Sequence, residues 1–471
     1  MILRQNHEEI FSITTEEISR LLNTALSKGG EFAELFFEYR ISSSVLMEED
    51  IIKSSSENII KGVGIRVING LQTGYAYSSD LNFDKISKAA LTAATIANTN
   101  SKFNSINLDF RSTKNNSYDL ILPLSKENLQ TKIELVKKAY SAALNYDSKI
   151  TKVSCGLGDE LQFVTIANSN GLLISDLRPQ TRLGVTVTAD DGKNRTTGFK
   201  SAGGRVGMGY FTDELLEGAG KASSEEAIIL LDAVDAPSGE QVVVLSNEQS
   251  GVLIHEAIGH PLEADSVRKG ASIMTGKLNE MVANPIVSII EDPTIPELRG
   301  SLNIDDEGTE TEKVVLVEHG KLVGFMNDYL SAKALGHKMN GHARRESFSC
   351  SPIPRMNNTI LLNGESTAEE IISSVKSGFF AKSFQGGMVN STGKFTFSVN
   401  LGYMIEDGKL TQPIKNTTLI GSNIEILKRI DMVGDDMGFF LGSCGKDGQT
   451  VPVTCGTPTL RISKMTVGGT R

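Results

Sequence analysis

Four turn signals constrain this chain more than any other feature: Asn69-Gly70, Asn170-Gly171, Asp191-Gly192 and Asp407-Gly408. Asn-Gly and Asp-Gly pairs tolerate the positive φ of a type I′ turn, whose twist matches two antiparallel strands. The runs around them are rich in β-branched and aromatic residues and alternate with a period of two. They cover 33–40, 44–50, 58–68, 73–79, 149–155, 161–169, 171–179, 183–190 and 386–410. This pattern predicts antiparallel sheet in both halves of the chain. His319-Gly320 marks a further hairpin tip between 311–320 and 321–327, which makes His319 a poor ligand candidate.

Helical periodicity separates the strand clusters. Residues 14–28 read as a helix capped by Thr14 or Thr15. Further helices are expected over 82–98, 125–143 (Ser125 and Asn128 near its start), 328–336, 367–380 and 423–430, and over 211–230 with a polar break. Residues 195–204 are glycine-rich and read as a loop over a cleft, and 286–292 and 300–308 as strands. With 471 residues the chain exceeds a single hydrophobic core. The expected fold class is α+β, with an N-terminal α/β domain over 1–225, strands with flanking helices, and a β-rich domain over 226–471.

The chemistry concentrates at 250–265, SGVLIHEAIGHPLEAD. His255, Glu256 and His260 form an HExxxH pattern. Imidazoles are good zinc ligands, and a glutamate beside the first is the residue type that serves as general base on a metal-bound water. The more familiar spacing, HExxH, puts two histidines on one helix face. Here the separation is five residues, which on an α-helix leaves them about 140° apart. One π-turn reduces this to about 50°. A distorted helix is therefore expected at this point, eased by Gly259 and by Pro261, which disfavours α geometry at His260.

A catalytic zinc site needs a third protein ligand. On spacing, Glu263 is a candidate, and Glu263 or Asp265 is equally suited to orient a histidine as its carboxylate partner. Cys444 and Cys455 both lie in glycine-flanked contexts, and spacing does not choose between them; Cys350 has a weaker case and Cys155 reads as core. Arg344 and Arg345 offer substrate contact or partners for the acidic turn Asp305-Asp306-Glu307, while Arg195, Lys200 and Arg205 read as surface.

The charge of −10 argues against a nucleic-acid backbone binder, which would carry a basic surface. The opening stretch has no apolar signal region, and no run approaches a membrane span. Four cysteines make no disulfide framework. The expectation is a cytoplasmic enzyme with reduced thiols and no membrane partner.

The motif resembles the active-site segment of the TldD/PmbA family, metallopeptidases also labelled modulators of DNA gyrase, on its TldD side. NIDDEGTET at 303–311, GHARRESFSCSPIPRMNNT at 341–359, GGMVNSTGKFTFSV at 386–399, GSCGKDGQTVPV at 442–453 and TVGGT at 466–470 carry the same resemblance in order. It implies Cys444 as third ligand with His255 and His260, one Zn2+ per active chain, and Glu256 as general base. It implies a barrel-like C-terminal body enclosing the metal, a DDEG turn near the cavity, and an N-terminal domain that frames the cavity and helps form a dimer. The partner is either a second copy or a metal-free PmbA/TldE-like paralogue. The substrate implied is unfolded polypeptide or short peptide, which the extended backbone of 386–410 suits by strand addition. Rival readings are a metal-dependent amidase and a non-catalytic regulatory or scaffold protein. The scaffold reading predicts no loss of function on Glu256→Gln.

Overall fold

The structure is a computed structural model that describes residues 2–97, 106–118, 129–389 and 393–469. It is a mixed α+β fold.

The N-terminal sheet is ordered Gln72–Ser78, Ile51–Asn69, Phe32–Glu48, Ile150–Asn168, Leu172–Asp190. The turn signals act as read, with Gly70, Gly171 and Gly192 at φ +63°, +88° and +84°. Several runs that read as separate strands are continuous. Ser42–Ser44 pair opposite Glu160–Gly158, so small polar residues that look like breaks continue one ladder across two long strands.

Residues 195–204, expected as a loop, form an edge strand beside Leu172–Asp190. Glycine is required at its end. A Cβ on Gly203 would come within 2.2 Å of the Thr181 carbonyl oxygen, and one on Gly204 within 2.3 Å of that of Glu297.

Helices Thr15–Ala25 and Phe83–Ala94 pack on one part of this sheet and Leu129–Leu144 and Asp213–Leu231 on another. Thr14 and Glu17 form a capping box on the first. The opening residues form a further helix, Ile2–Phe11. The start of the 125–143 helix lies outside the described residues. The polar break expected within 211–230 is absent. A Cβ on Gly220 would approach the Ala139 carbonyl oxygen to 2.5 Å, so glycine there serves close helix packing and does not end the helix.

The later strands build a closed barrel. Gly239–Leu245, Leu460–Gly468, Thr417–Ser422, Lys394–Glu406 and Ser377–Val389 pair in that order, and the last returns to the first. The 367–380 helix is shorter than expected. Thr367 and Glu370 cap Ala368–Ser373, and the chain then turns extended. Gly378–Ala381 pair in parallel with Val242–Leu245, which places Phe379 and Phe380 in the sheet. A second sheet runs Lys321–Leu322, Val314–Glu318, Ile289–Glu291, Asn358–Leu361, Gln449–Thr457, Gly438–Lys446.

Residues 300–308 are not a strand. Asp305 accepts hydrogen bonds from the Glu307 and Thr309 amides, both at 2.9 Å, and folds the segment into a turn. That turn is neither solvated nor part of the cavity lining. Asp306 meets Arg178 at 2.6 Å and Glu307 meets Arg66 at 2.7 Å, while Arg345 pairs with Glu34 at 2.5 Å. All are buried. This ionic layer joins the N-terminal sheet to the later half of the chain.

Candidate metal centre

Strand Gly239–Leu245 leads through a short 3-10 turn into the site segment. Gly251–Ile254 is α-helical, His255–Gly259 is π-helical and His260–Leu262 is a 3-10 turn. The His260 amide donates to the His255 carbonyl five residues back, so the wide turn falls where the spacing requires it. Packing requires glycine inside it. Met356 is fully buried against Gly259, and a Cβ there would stand 1.9 Å from its sulfur. Pro261 has no N–H to continue the helix.

This turn brings the two imidazoles together at nearly right angles, 82°, with centroids 5.1 Å apart. Cys444 comes from the strand Gly438–Lys446, whose turn at Asp447-Gly448 has φ of +51° and +72°. Its Sγ lies 3.4 Å from His260 Nε2. One ligand atom from each of His255, His260 and Cys444 lies within 4.8 Å of the others. His255 Nδ1 is buried without a hydrogen-bond partner. Cys455 neighbours His255 but stands outside the converging group. Cys155 is in the core of the N-terminal sheet, as expected.

Glu263 is not a member of the group. It is 1% exposed and accepts from His260 Nδ1 at 2.9 Å, leaving Nε2 towards the sulfur. Lys446 reaches it at 3.2 Å and Arg355 at 3.7 Å. Burial pushes its carboxyl up, but His260, Lys446 and Arg355 outweigh burial and bring it down to about 2. Asp265 pairs with Lys446 at 2.6 Å. Arg355 also donates to the Cys444 carbonyl, which pins the backbone at the sulfur. The sequence reading missed the parts played by Arg355 and Lys446. Lys446 was detectable, because on a strand it shares the face of Cys444.

Burial raises the Cys444 thiol, and the two imidazoles outweigh it, bringing the group down to about 4. Burial works against charge on His260, but Glu263 and Cys444 raise it to about 9. Burial raises Glu256, with His255 and His260 opposing. An anionic sulfur between two imidazoles, with an orphaned ring nitrogen, fits a borderline-soft dication in donor chemistry.

Glu256, His255, His260 and Cys444 line a cavity of about 1390 Å3. The N-terminal region contributes Arg182, Thr186, Thr197 and Phe199 to its wall. Lys200 pairs with Glu248, Arg195 is exposed, and Arg205 is buried on backbone carbonyls rather than on the surface. Arg344 donates to the Met356 carbonyl at 2.6 Å, and Arg345 belongs to the ionic layer; neither lines the cavity.

Two imidazoles, a thiolate and a neighbouring carboxylate on a cavity wall are the donor chemistry of hydrolytic zinc enzymes as a class. The chain belongs to the PmbA/TldD metallopeptidase family. Family models described as PmbA/TldA metallopeptidase domain 1, central domain and C-terminal domain match residues 33–97, 122–231 and 238–469. The metalloprotease TldD homolog of Haemophilus influenzae is 38% identical over 98% of this chain and 97% of its own length. The zinc metalloprotease TldD homolog of Saccharolobus solfataricus is 28% identical, over 96% and 99%. TldE from Thermococcus kodakarensis has the same fold, with a TM-score of 0.77, 19% identity and coverage of 96% and 100%.

Proposed function

We propose that this chain is a zinc-dependent peptidase that hydrolyses peptide bonds of unfolded proteins or short peptides inside its cavity. The carrying observation is the convergence of His255, His260 and Cys444 within 4.8 Å, with Glu256 on the same cavity wall. His255 and His260 would hold the ion through ring nitrogens and Cys444 through its thiolate. A zinc ion there supplies Lewis acidity and a water of lowered pKa. Glu256 takes a proton from the attacking water and returns it to the leaving nitrogen. Its raised pKa suits both directions of transfer. Glu263 holds His260 by Nδ1 and keeps Nε2 aimed at the sulfur.

Substrate enters as extended chain. Gly386–Val389 line the cavity and pair on one side with Phe395–Ser398, while the parallel partner strand stops at Ala381. Such half-paired backbone accepts an added strand with little side-chain selection. Residues 1–225 frame the cavity and 226–471 carry the chemistry. The fold shared with TldE supports pairing with a TldE-like subunit, or with a second copy. A charge of −10 supports a role without direct nucleic-acid binding, and four free cysteines suit the cytoplasm. No described helix is long and apolar enough to cross a membrane.

The test is metal content of the purified chain, paired with hydrolysis of an unfolded polypeptide by wild type and Glu256→Gln. It is run with and without a metal-free paralogue. We expect about one zinc per chain in both proteins, in keeping with a single three-ligand site. Cleavage should fall at least about 100-fold in the variant, the scale of a lost general base. Metal bound with no cleavage in any combination would overturn the peptidase reading.

A further inference from the structure

The cavity holds a second polar feature that hydrolysis leaves unused. Arg182 stands on the strand Leu172–Asp190, where odd positions from 181 to 189 are buried and even positions from 182 to 190 half-exposed. It therefore shares a face with Thr186, and both line the cavity. Among the described residues the Arg182 guanidinium makes no ion pair or side-chain hydrogen bond, and burial alone shifts it, downwards.

Arg299 lies beside it. Its Nε donates to the Gly442 carbonyl at 3.0 Å, and Gly442 lines the cavity two residues before Cys444. Among the described residues it makes no ion pair, although the charge of Glu160 acts on it. Burial, then the charges of Arg182 and Arg205, bring it down to about 10, with Glu160 opposing. The frame around the pair is tight. Arg182 pairs with Gly203 across the sheet, and the Arg205 amide donates to the Glu297 carbonyl at 2.8 Å.

The contrast with the other buried arginines is informative. Arg66, Arg178 and Arg345 each face a carboxylate, and Arg205, Arg299 and Arg344 donate to backbone carbonyls. Arg182 stands at the cavity wall with neither, and the charge of Arg299 close by strengthens its demand for an anion. A planar carboxylate matches the guanidinium fork.

We propose that Arg182, with the charge of Arg299 behind it, forms a carboxylate-binding subsite that holds a carboxylate of the peptide in the cavity. That the ligand is a peptide rests on the peptidase reading. The carboxylate comes from the peptide's C-terminus or from an acidic side chain, and the chemistry of recognition is the same.

The experiment uses the full zinc-loaded chain with Glu256→Gln, which removes turnover. Three versions of one labelled, unstructured peptide are titrated by fluorescence anisotropy: a free C-terminal acid without acidic side chains, its C-terminal amide, and the amide with one Asp near the end. We expect at least one carboxylate form to bind about tenfold more tightly than the neutral amide, equivalent to about 1.4 kcal/mol. A preference for the free acid assigns C-terminal recognition, and one for the Asp peptide assigns a side-chain subsite. Adding Arg182→Gln should bring the ratio close to one, and Arg182→Lys should recover part of it. Equal binding of all three peptides, no binding of any, or an unchanged ratio in folded Arg182→Gln would overturn the subsite. Cleavage by wild type is scored separately. A carboxylate preference without any cleavage would leave the subsite standing and defeat the peptidase reading.

Discussion

Glu263 shows how much a single buried side chain settles at this site. Spacing left it open as either ligand or orienting group, and the hydrogen bond to His260 Nδ1 places it as the second. Its charge is held by His260, Lys446 and Arg355, all within a few ångströms. Glu263→Gln keeps the shape but loses the charge that fixes the ring and raises its basicity. We expect metal affinity to fall by about 10–100-fold, the usual effect of removing such a partner, read by competition with a chelator. Wild-type affinity in the variant would show that Glu263 serves only the packing of Lys446 and Arg355. Cys444 was reached through resemblance alone. Its distance from the histidines in sequence, 184 residues from His260, hides a contact that a hairpin and a π-turn create.

At the scale of the element, the π-turn is the decisive piece. Its existence was legible, because five-residue histidine spacing is incompatible with one metal on a regular α-helix. What requires glycine inside it was not legible: the Met356 sulfur against Gly259, nearly a hundred residues away in sequence. Gly259→Ala should therefore destabilise the fold by about 1–3 kcal/mol through overpacking. Met356→Ala in the same chain should recover part of that loss, measured by urea denaturation as a double-mutant cycle. Additive losses would remove Met356 from the account. The elements that sequence misread share one cause. The 195–204 strand and the shortened 367–380 helix were decided by a neighbouring strand, Leu172–Asp190 in one case and Gly239–Leu245 in the other. Local glycine content and helical periodicity lost to ladders formed with distant residues.

Across the whole molecule, the ionic layer at 305–307 joins the N-terminal sheet to the region that carries the site. It contains more carboxylates than guanidiniums, so burial retains protons. Burial pushes Asp305 up to about 7 and Glu307 up to about 8, in the latter case against the pull of Arg66. Above about pH 4 the unfolded chain releases these protons while the folded chain keeps them. Stability therefore falls as pH rises towards 7–8, at roughly 1.4 kcal/mol per pH unit for each retained proton. Urea unfolding at pH 5, 6.5 and 8 should show this slope, and Glu307→Gln should flatten it; an unchanged slope would rule out Glu307 as its source. Arg178→Ala leaves Asp306 and Asp176 buried without their cation and should cost about 3–5 kcal/mol.

The sequence by itself determined the local rules: where hairpins turn, that His255, Glu256 and His260 belong on one wall, and that their helix must widen. These depend on dihedral preferences and on spacing within a few residues. Tertiary structure decided the rest. It closed five strands into a barrel, brought Cys444 to the histidines, kept Glu263 out of the converging group, and buried the acidic turn among arginines of the opposite sheet. It also left Arg182 on the cavity wall, among the described residues, without an ion pair or side-chain hydrogen bond. The physical reason is that ion pairing, burial and strand closure depend on which distant groups end up within a few ångströms, and no local pattern of residues encodes that distance.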